Sequence, residues 1–241
     1  MTKSILDDQS DKTVQLVGDI VETINSNDKS RRNDIAFQLS NVLDNIISFS
    51  GNSEYYCVGL VDLVNSTNIT SKLSYTKACM YYGVFLNTMS IITKEFGATV
   101  VKNGGDSLLY YFPKTSDSTN KHVFKKVLEC GRGMIELRSI INDKMSKNGL
   151  PELNYRISAD YGHIMLADSM TSFHEDIFGP TVNICSKINS MATPNTMVIG
   201  GDMYQHVKDM DGYSFKEIES FSIGHKHSYS VYSVHTKDSN S

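Results

Sequence analysis

TVVKNGGDSLLYYF, residues 99–112, consists of two short apolar runs joined by Asn103-Gly104-Gly105-Asp106. Val100 and Val101 lead into these turn formers, and Leu108, Leu109, Tyr110 and Tyr111 follow them, which is the pattern of a β-hairpin. Asp106 therefore sits at the hairpin tip, where two paired strands can aim its carboxylate. Lys102 ends the entering strand, so an acid and a base are presented together. Taken alone, the four turn residues read more readily as a turn with no chemistry. The neighbouring segments decide between the two.

Upstream, YYCVGLVDLV (residues 55–64) is a continuous apolar and aromatic run, read as a buried strand with Asp62 near its end. Asn65, Ser66, Thr67 and Asn68 then supply turn and N-cap chemistry, and a helix start after a strand turns N–H groups outward, a common anion site. Ala78, Met80 to Tyr82, Phe85, Met89, Ile92 and Phe96 predict a helix with a wide apolar face, stopped at Gly97. Downstream, Val127, Cys130, Met134, Leu137, Ile141 and Met145 predict a second long helix within residues 122–145, closed by Asn148-Gly149. NYRISADYGHIML, residues 154–166, alternates like a strand, with a bend at Gly162. Strand, helix, two strands, helix, strand is the split βαβ plan: an α+β, ferredoxin-like βαββαβ core with two helices on one sheet face. A C-terminal αβ extension follows. It comprises an irregular connector over 173–180, a helix over 181–191, a strand over 196–199, a short helix over 202–207 and a strand over 228–234.

Ahead of the core, Val14, Val17, Val21 and Ile24, and then Ile35, Leu39, Val42, Ile46 and Phe49, recur at helical spacing around the polar break SNDKSRRND. The expected organisation is a disordered tail over 1–10, N-terminal amphipathic helices within 11–52, one domain over 53–236 and a disordered end over 237–241. The helices could pack on the domain, on a second copy or on a protein partner.

The 241 residues suffice for a substantial core. There is no apolar run of the length that spans a bilayer, and the N-terminus MTKSILDDQSDK has no basic-then-apolar leader pattern, so a cytoplasmic protein without membrane insertion is expected. Cys57, Cys79, Cys130 and Cys185 lack C-x-x-C spacing and lie in apolar segments, which reads as packed, reduced thiols. A formal charge of −4 argues against a nucleic-acid partner while leaving room for a small anionic ligand at a locally positive site.

In a βαββαβ sheet the first strand lies beside the strand leaving this hairpin, so Asp62 and Asp106 can converge on one sheet edge. Two carboxylates suit Mg²⁺, which prefers a few carboxylates with water and substrate phosphates, and a pair of such ions serves in-line displacement at phosphorus. Phosphoryl chemistry on a nucleotide is the expectation.

Over about residues 54–236 the chain resembles the catalytic domain of the class III nucleotidyl cyclases, the adenylyl and guanylyl cyclase family. The resemblance is carried by VDLVNST (61–67), KNGGD (102–106), YRISADYGHI (155–164) and DIFGPTVNICSKINS (176–190), in that order. It implies the class III cyclase fold, a head-to-tail homodimer with sites at the subunit interface, and conversion of ATP to 3′,5′-cyclic AMP and pyrophosphate with two Mg²⁺ or Mn²⁺ ions per site. Asp62 and Asp106 match the metal-binding aspartates and the Leu63 carbonyl a further ligand. The N–H groups of Val64 to Thr67, through Asn65, Ser66 and Thr67, would cradle phosphate oxygens. Lys102 and Asp176 match the pair that selects adenine, since a lysine can donate to N1 and an aspartate accept from the 6-amino group. Asn183 matches the residue that orients the ribose. Lys187 stands where the family usually has an arginine that offsets charge on the α-phosphate, and Ile223 stands where it often has a phosphate-binding lysine, with Lys226 nearby. Lysine keeps the charge without the bidentate fork. These two departures leave open a catalytically weak or inactive cyclase-fold nucleotide-binding module. A diguanylate cyclase, suggested by Gly104-Gly105-Asp106, is disfavoured by Ser107 where those enzymes carry an acid. His225 and His227 read as solvent-facing rather than as metal ligands.

Overall fold

A computed structural model describes residues 47–169, 176–223 and 227–237. The strands are β1 (Ile47–Leu63), β2 (Thr99–Asn103), β3 (Ser107–Phe112), β4 (Tyr155–Ser169), β5 (Asp176–Phe178), β6 (Met197–Gly200), β7 (Tyr213–Ile223) and β8 (His227–Thr236). The helices are α1 (Ser66–Thr70), α2 (Tyr75–Glu95), α3 (Lys121–Lys147), α4 (Pro180–Asn189) and α5 (Gly201–Val207). The described residues fall in two compact units, one holding 47–53, 165–169 and 176–178, the other 54–164, 179–223 and 227–237. In the first, the end of β4 and β5 make an antiparallel pair in which Ala167 faces Asp176.

The second unit carries the expected plan. Its sheet runs β2-β3-β1-β4-β6-β8-β7, and the first four strands stand in the order of a ferredoxin-like sheet. β1 is antiparallel to β3 with Asp62 opposite Ser107, and β4 is parallel to β6. Tyr81, Phe85 and Met89 of α2, with Phe124, Leu128 and Met134 of α3, bury one face of the sheet against Tyr155, Ile157 and Ala159 of β4. On a separate, smaller core Ile188 of α4 packs with Val198 of β6 and Val231 of β8. α2 begins at Tyr75 because the Ser74 side chain accepts from the Lys77 N–H, and it gives way at Gly97, whose φ of +86° favours glycine. Among the described residues, no helix is long and apolar enough to cross a membrane.

Several local expectations are corrected. β1 starts at Ile47, inside the span read as a helix ending at Phe49, because a short, largely apolar run such as Ile46-Ile47-Ser48-Phe49 satisfies either period. The connector over 173–180 contains β5, too short for an alternation to show. β7 escaped notice because a bulge between Glu217 and Glu219 breaks its alternation and much of it is charged and exposed. Leu137 of α3 is exposed rather than on the buried stripe. Cys57, Cys130 and Cys185 are buried thiols, but Cys79 is exposed. The helix expected over residues 14–24, and most of the next, lie outside the described residues, as do His225 and Lys226.

Candidate active site

β1 ends where the β2–β3 turn begins. The Leu63 N–H donates to the Asp106 carbonyl at 3.1 Å, and the turn closes on itself through Gly104 N–H to the Ser107 carbonyl at 2.9 Å. Gly105, at φ +70°, takes the left-handed position of that turn. Asp62 and Asp106 are thereby brought within repulsive range. Burial, and then the charge of Asp106, push the Asp62 carboxyl up to about 6, against the pull of the Arg156 guanidinium. A half-buried carboxylate that resists ionisation beside a second one is relieved by a cation. The oxygen donor set fits Mg²⁺ or Mn²⁺, with Asp62, Asp106 and the Leu63 carbonyl as the protein's contribution. Among the described residues no third His, Cys, Asp or Glu joins them, which leaves positions for water and phosphate oxygens.

The segment after β1 holds the turn in place. Ser66, buried in the first turn of α1, donates its hydroxyl to the Asp106 carboxylate. Asn65 precedes it in the left-handed region at φ 60°, which asparagine tolerates, and its side chain does not cap the helix. One expectation fails here. The Val64 N–H is not turned outward for a phosphate, because it donates to the Asn154 carbonyl at 2.7 Å. A phosphate cradle on this segment would rest on Asn65, Ser66 and Thr67.

The remaining candidates lie on other elements. Lys102 is placed by its backbone, opposite Leu109 and beside a bulge in β2. Asp176 opens β5 in the other unit and accepts from its neighbour Ile177 N–H at 2.9 Å. Asn183 and Lys187 are exposed, one turn apart on α4. The Lys187 ammonium stands 3.8 Å from the centroid of the Phe221 ring. The described contacts thus join Asp62, Leu63, Ser66 and Asp106.

Two participants escaped the sequence reading. Arg156 is the cation that acts on Asp62, and its buried Nε has no hydrogen-bond partner among the described residues. Its signal was a charge inside an otherwise apolar strand. Asn154, which takes the Val64 N–H, had no local signal.

The family model for the adenylate and guanylate cyclase catalytic domain matches residues 50–236. No curated protein matches the sequence. Among solved structures, the adenylyl cyclase CyaB from P. aeruginosa is 19% identical with a TM-score of 0.69, over 78% of this chain and 97% of that one. The guanylyl cyclase Cya2 is 17% identical with a TM-score of 0.66, over 78% and 96%. The guanylate cyclase domain of RhGC from Catenaria anguillulae, in complex with GTP, is 18% identical with a TM-score of 0.64, over 78% and 100%. These likenesses are of fold, and they span adenylyl and guanylyl cyclases alike. With the match of the family model over residues 50–236, they make this chain a member of the adenylate and guanylate cyclase catalytic domain family.

Proposed function

We propose that the protein is an adenylyl cyclase, converting ATP to 3′,5′-cyclic AMP and pyrophosphate at sites shared between two copies of the chain. The observation that carries this reading is the convergence of Asp62 and Asp106, where burial and then the charge of Asp106 lift the Asp62 carboxyl to about 6. Divalent cations held there would make the ribose 3′-OH more acidic and offset charge on the departing pyrophosphate. The protein's own part is to position the two carboxylates. Ser66 fixes the Asp106 carboxylate by its hydroxyl, and the Leu63 N–H fixes the backbone beneath it.

The choice of ATP rests on residue type. A lysine at 102 would donate to adenine N1, and an aspartate at 176 would accept from the 6-amino group, whereas guanine offers the reverse pattern. Asn183 would orient the ribose and Lys187 would face the α-phosphate, both reaching the aspartates of the second copy. One segment, residues 102–106, then contributes to both sites of the homodimer.

Lys187 also motivates a second reading. Its stacking on Phe221 gives the ammonium a partner within the chain, as a nucleotide-binding module of low turnover would have. Pyrophosphate and cyclic nucleotide are to be measured with ATP and GTP in Mg²⁺ and in Mn²⁺. Cyclic AMP from ATP, lost in Asp62→Ala, supports the cyclase. Nucleotide binding without pyrophosphate release supports the module, and cyclic GMP as the main product removes the adenine assignment.

A further inference from the structure

Lys187 is exposed on α4, and its ammonium makes no ion pair among the described residues. It rests instead over the face of Phe221, 3.8 Å from the ring centroid. A lysine carries its charge on a flexible four-carbon stem, so nothing in the side chain itself decides where the ammonium stands. A ring face that attracts the charge restricts it.

The ring is fixed from the core outward. Asp160 is fully buried, and its two carboxylate oxygens accept from the Tyr229 hydroxyl at 2.8 and 2.7 Å. The same hydroxyl accepts from the Asp202 N–H at 3.2 Å, so the Tyr229 ring is held at its far end. Tyr229 stands opposite Phe221 in the β7–β8 ladder, with the ring centroids 5.6 Å apart. Phe221 also packs against the small core of Ile188, Val198 and Val231.

The helix that carries Lys187 is fixed as well. Asn189, two residues further on and 3% exposed, donates its side-chain amide to the main-chain carbonyls of Leu60 in β1 and Arg156 in β4, each at 3.3 Å. Lysine and ring therefore meet between two anchored elements, and the stem of the lysine is the mobile part. An exposed contact of this kind adds little to stability. It leaves the side of the ammonium away from the ring open, so one charge can meet a ring face and a phosphate oxygen together.

We propose that Phe221 is a positioning residue, whose ring holds the Lys187 ammonium in place for a phosphate of the nucleotide. A guanidinium fork has a fixed direction through its own planarity, and here the ring supplies that direction to a lysine from outside. The role in catalysis rests on the cyclase reading, whereas the contact does not.

The test uses the full-length protein and reads kcat for cyclic nucleotide formation from ATP with Mn²⁺. Beside it, NMR of protein carrying isotope-labelled lysine follows the Lys187 ε-methylene protons, identified by their loss in Lys187→Met. The ring should shift these protons upfield in wild type and in Phe221→Tyr, and the shift should vanish in Phe221→Leu. Phe221→Leu should lower kcat about twofold to fivefold, and Phe221→Tyr, which keeps the ring face, should stay at the wild-type level. In a Lys187→Met background Phe221→Leu should lower kcat no further. Protons unshifted in wild type, kcat unmoved by Phe221→Leu, or an equal loss with and without Lys187→Met, as a merely structural ring would give, overturns the role of Phe221. Wild-type protein that keeps the shifted protons and forms no cyclic nucleotide overturns the cyclase reading, and the catalytic role with it.

Discussion

The Ser66 hydroxyl donates to the Asp106 carboxylate, joining the first turn of α1 to the tip of the β2–β3 hairpin across 40 residues of sequence. A hydrogen bond to a charged group is worth more than a neutral one, and this one sets which way a proposed metal ligand points. Ser66→Ala should fold normally and raise the Mn²⁺ concentration for half-maximal cyclic nucleotide formation by about threefold to tenfold, the equivalent of about 1 kcal/mol. A metal titration of activity beside a thermal melt checks both halves.

The contribution of Asp160 to stability should fall as pH rises from about 4 to about 7. Burial, opposed by hydrogen bonds from Tyr229, holds this carboxyl up at about 7, against an ordinary 3.8. Between those values the unfolded chain releases the proton and the folded protein keeps it, so each step up in pH favours unfolding, and the effect levels off above the folded value. The loss due to Asp160 between pH 5 and 8 is about 3 kcal/mol. Asp160→Asn, which still accepts from Tyr229, should remove that part of the slope. Urea unfolding of both proteins at pH 5, 6, 7 and 8 measures it.

Gly59 is opposite Tyr110 in the β1–β3 ladder, and a Cβ there would stand 2.3 Å from the Tyr110 ring. Tyr110 is 2% exposed and has nowhere to retreat. Gly59→Ala should therefore destabilise by about 3 kcal/mol, read from the shift in denaturant midpoint.

Lys187→Met tests what the ammonium does. Removal of a cation that meets charge developing in the transition state should lower kcat about 100-fold with little change in the melting temperature. Lys187→Arg, which restores the bidentate fork usual in the family, should raise kcat above wild type. If the contact with Phe221 is all the ammonium provides, kcat stays level in both variants and Lys187→Met shows its effect in the melt instead.

What the sequence disclosed was local in origin. The Asn103 to Asp106 turn, the apolar strand ending at Asp62 and the helical stripes of α2 and α3 each follow from neighbours along the chain, and their order gave the sheet plan. β7 was hidden by its bulge, and β5 was too short to show a period. The commitment of the Val64 N–H to Asn154 and the action of Arg156 on Asp62 depend on which distant segments meet. No window of sequence contains both partners of such contacts.

The shared site is tested most directly by cyclic AMP formation in an equimolar mixture of Asp106→Ala and Lys102→Ala chains. Each alone should be nearly inactive. After mixing, heterodimers carry one intact site, so activity should return to about a quarter of wild type if chains exchange freely. A mixture no more active than its components, with exchange confirmed, would contradict a catalytic site built from two copies of this chain.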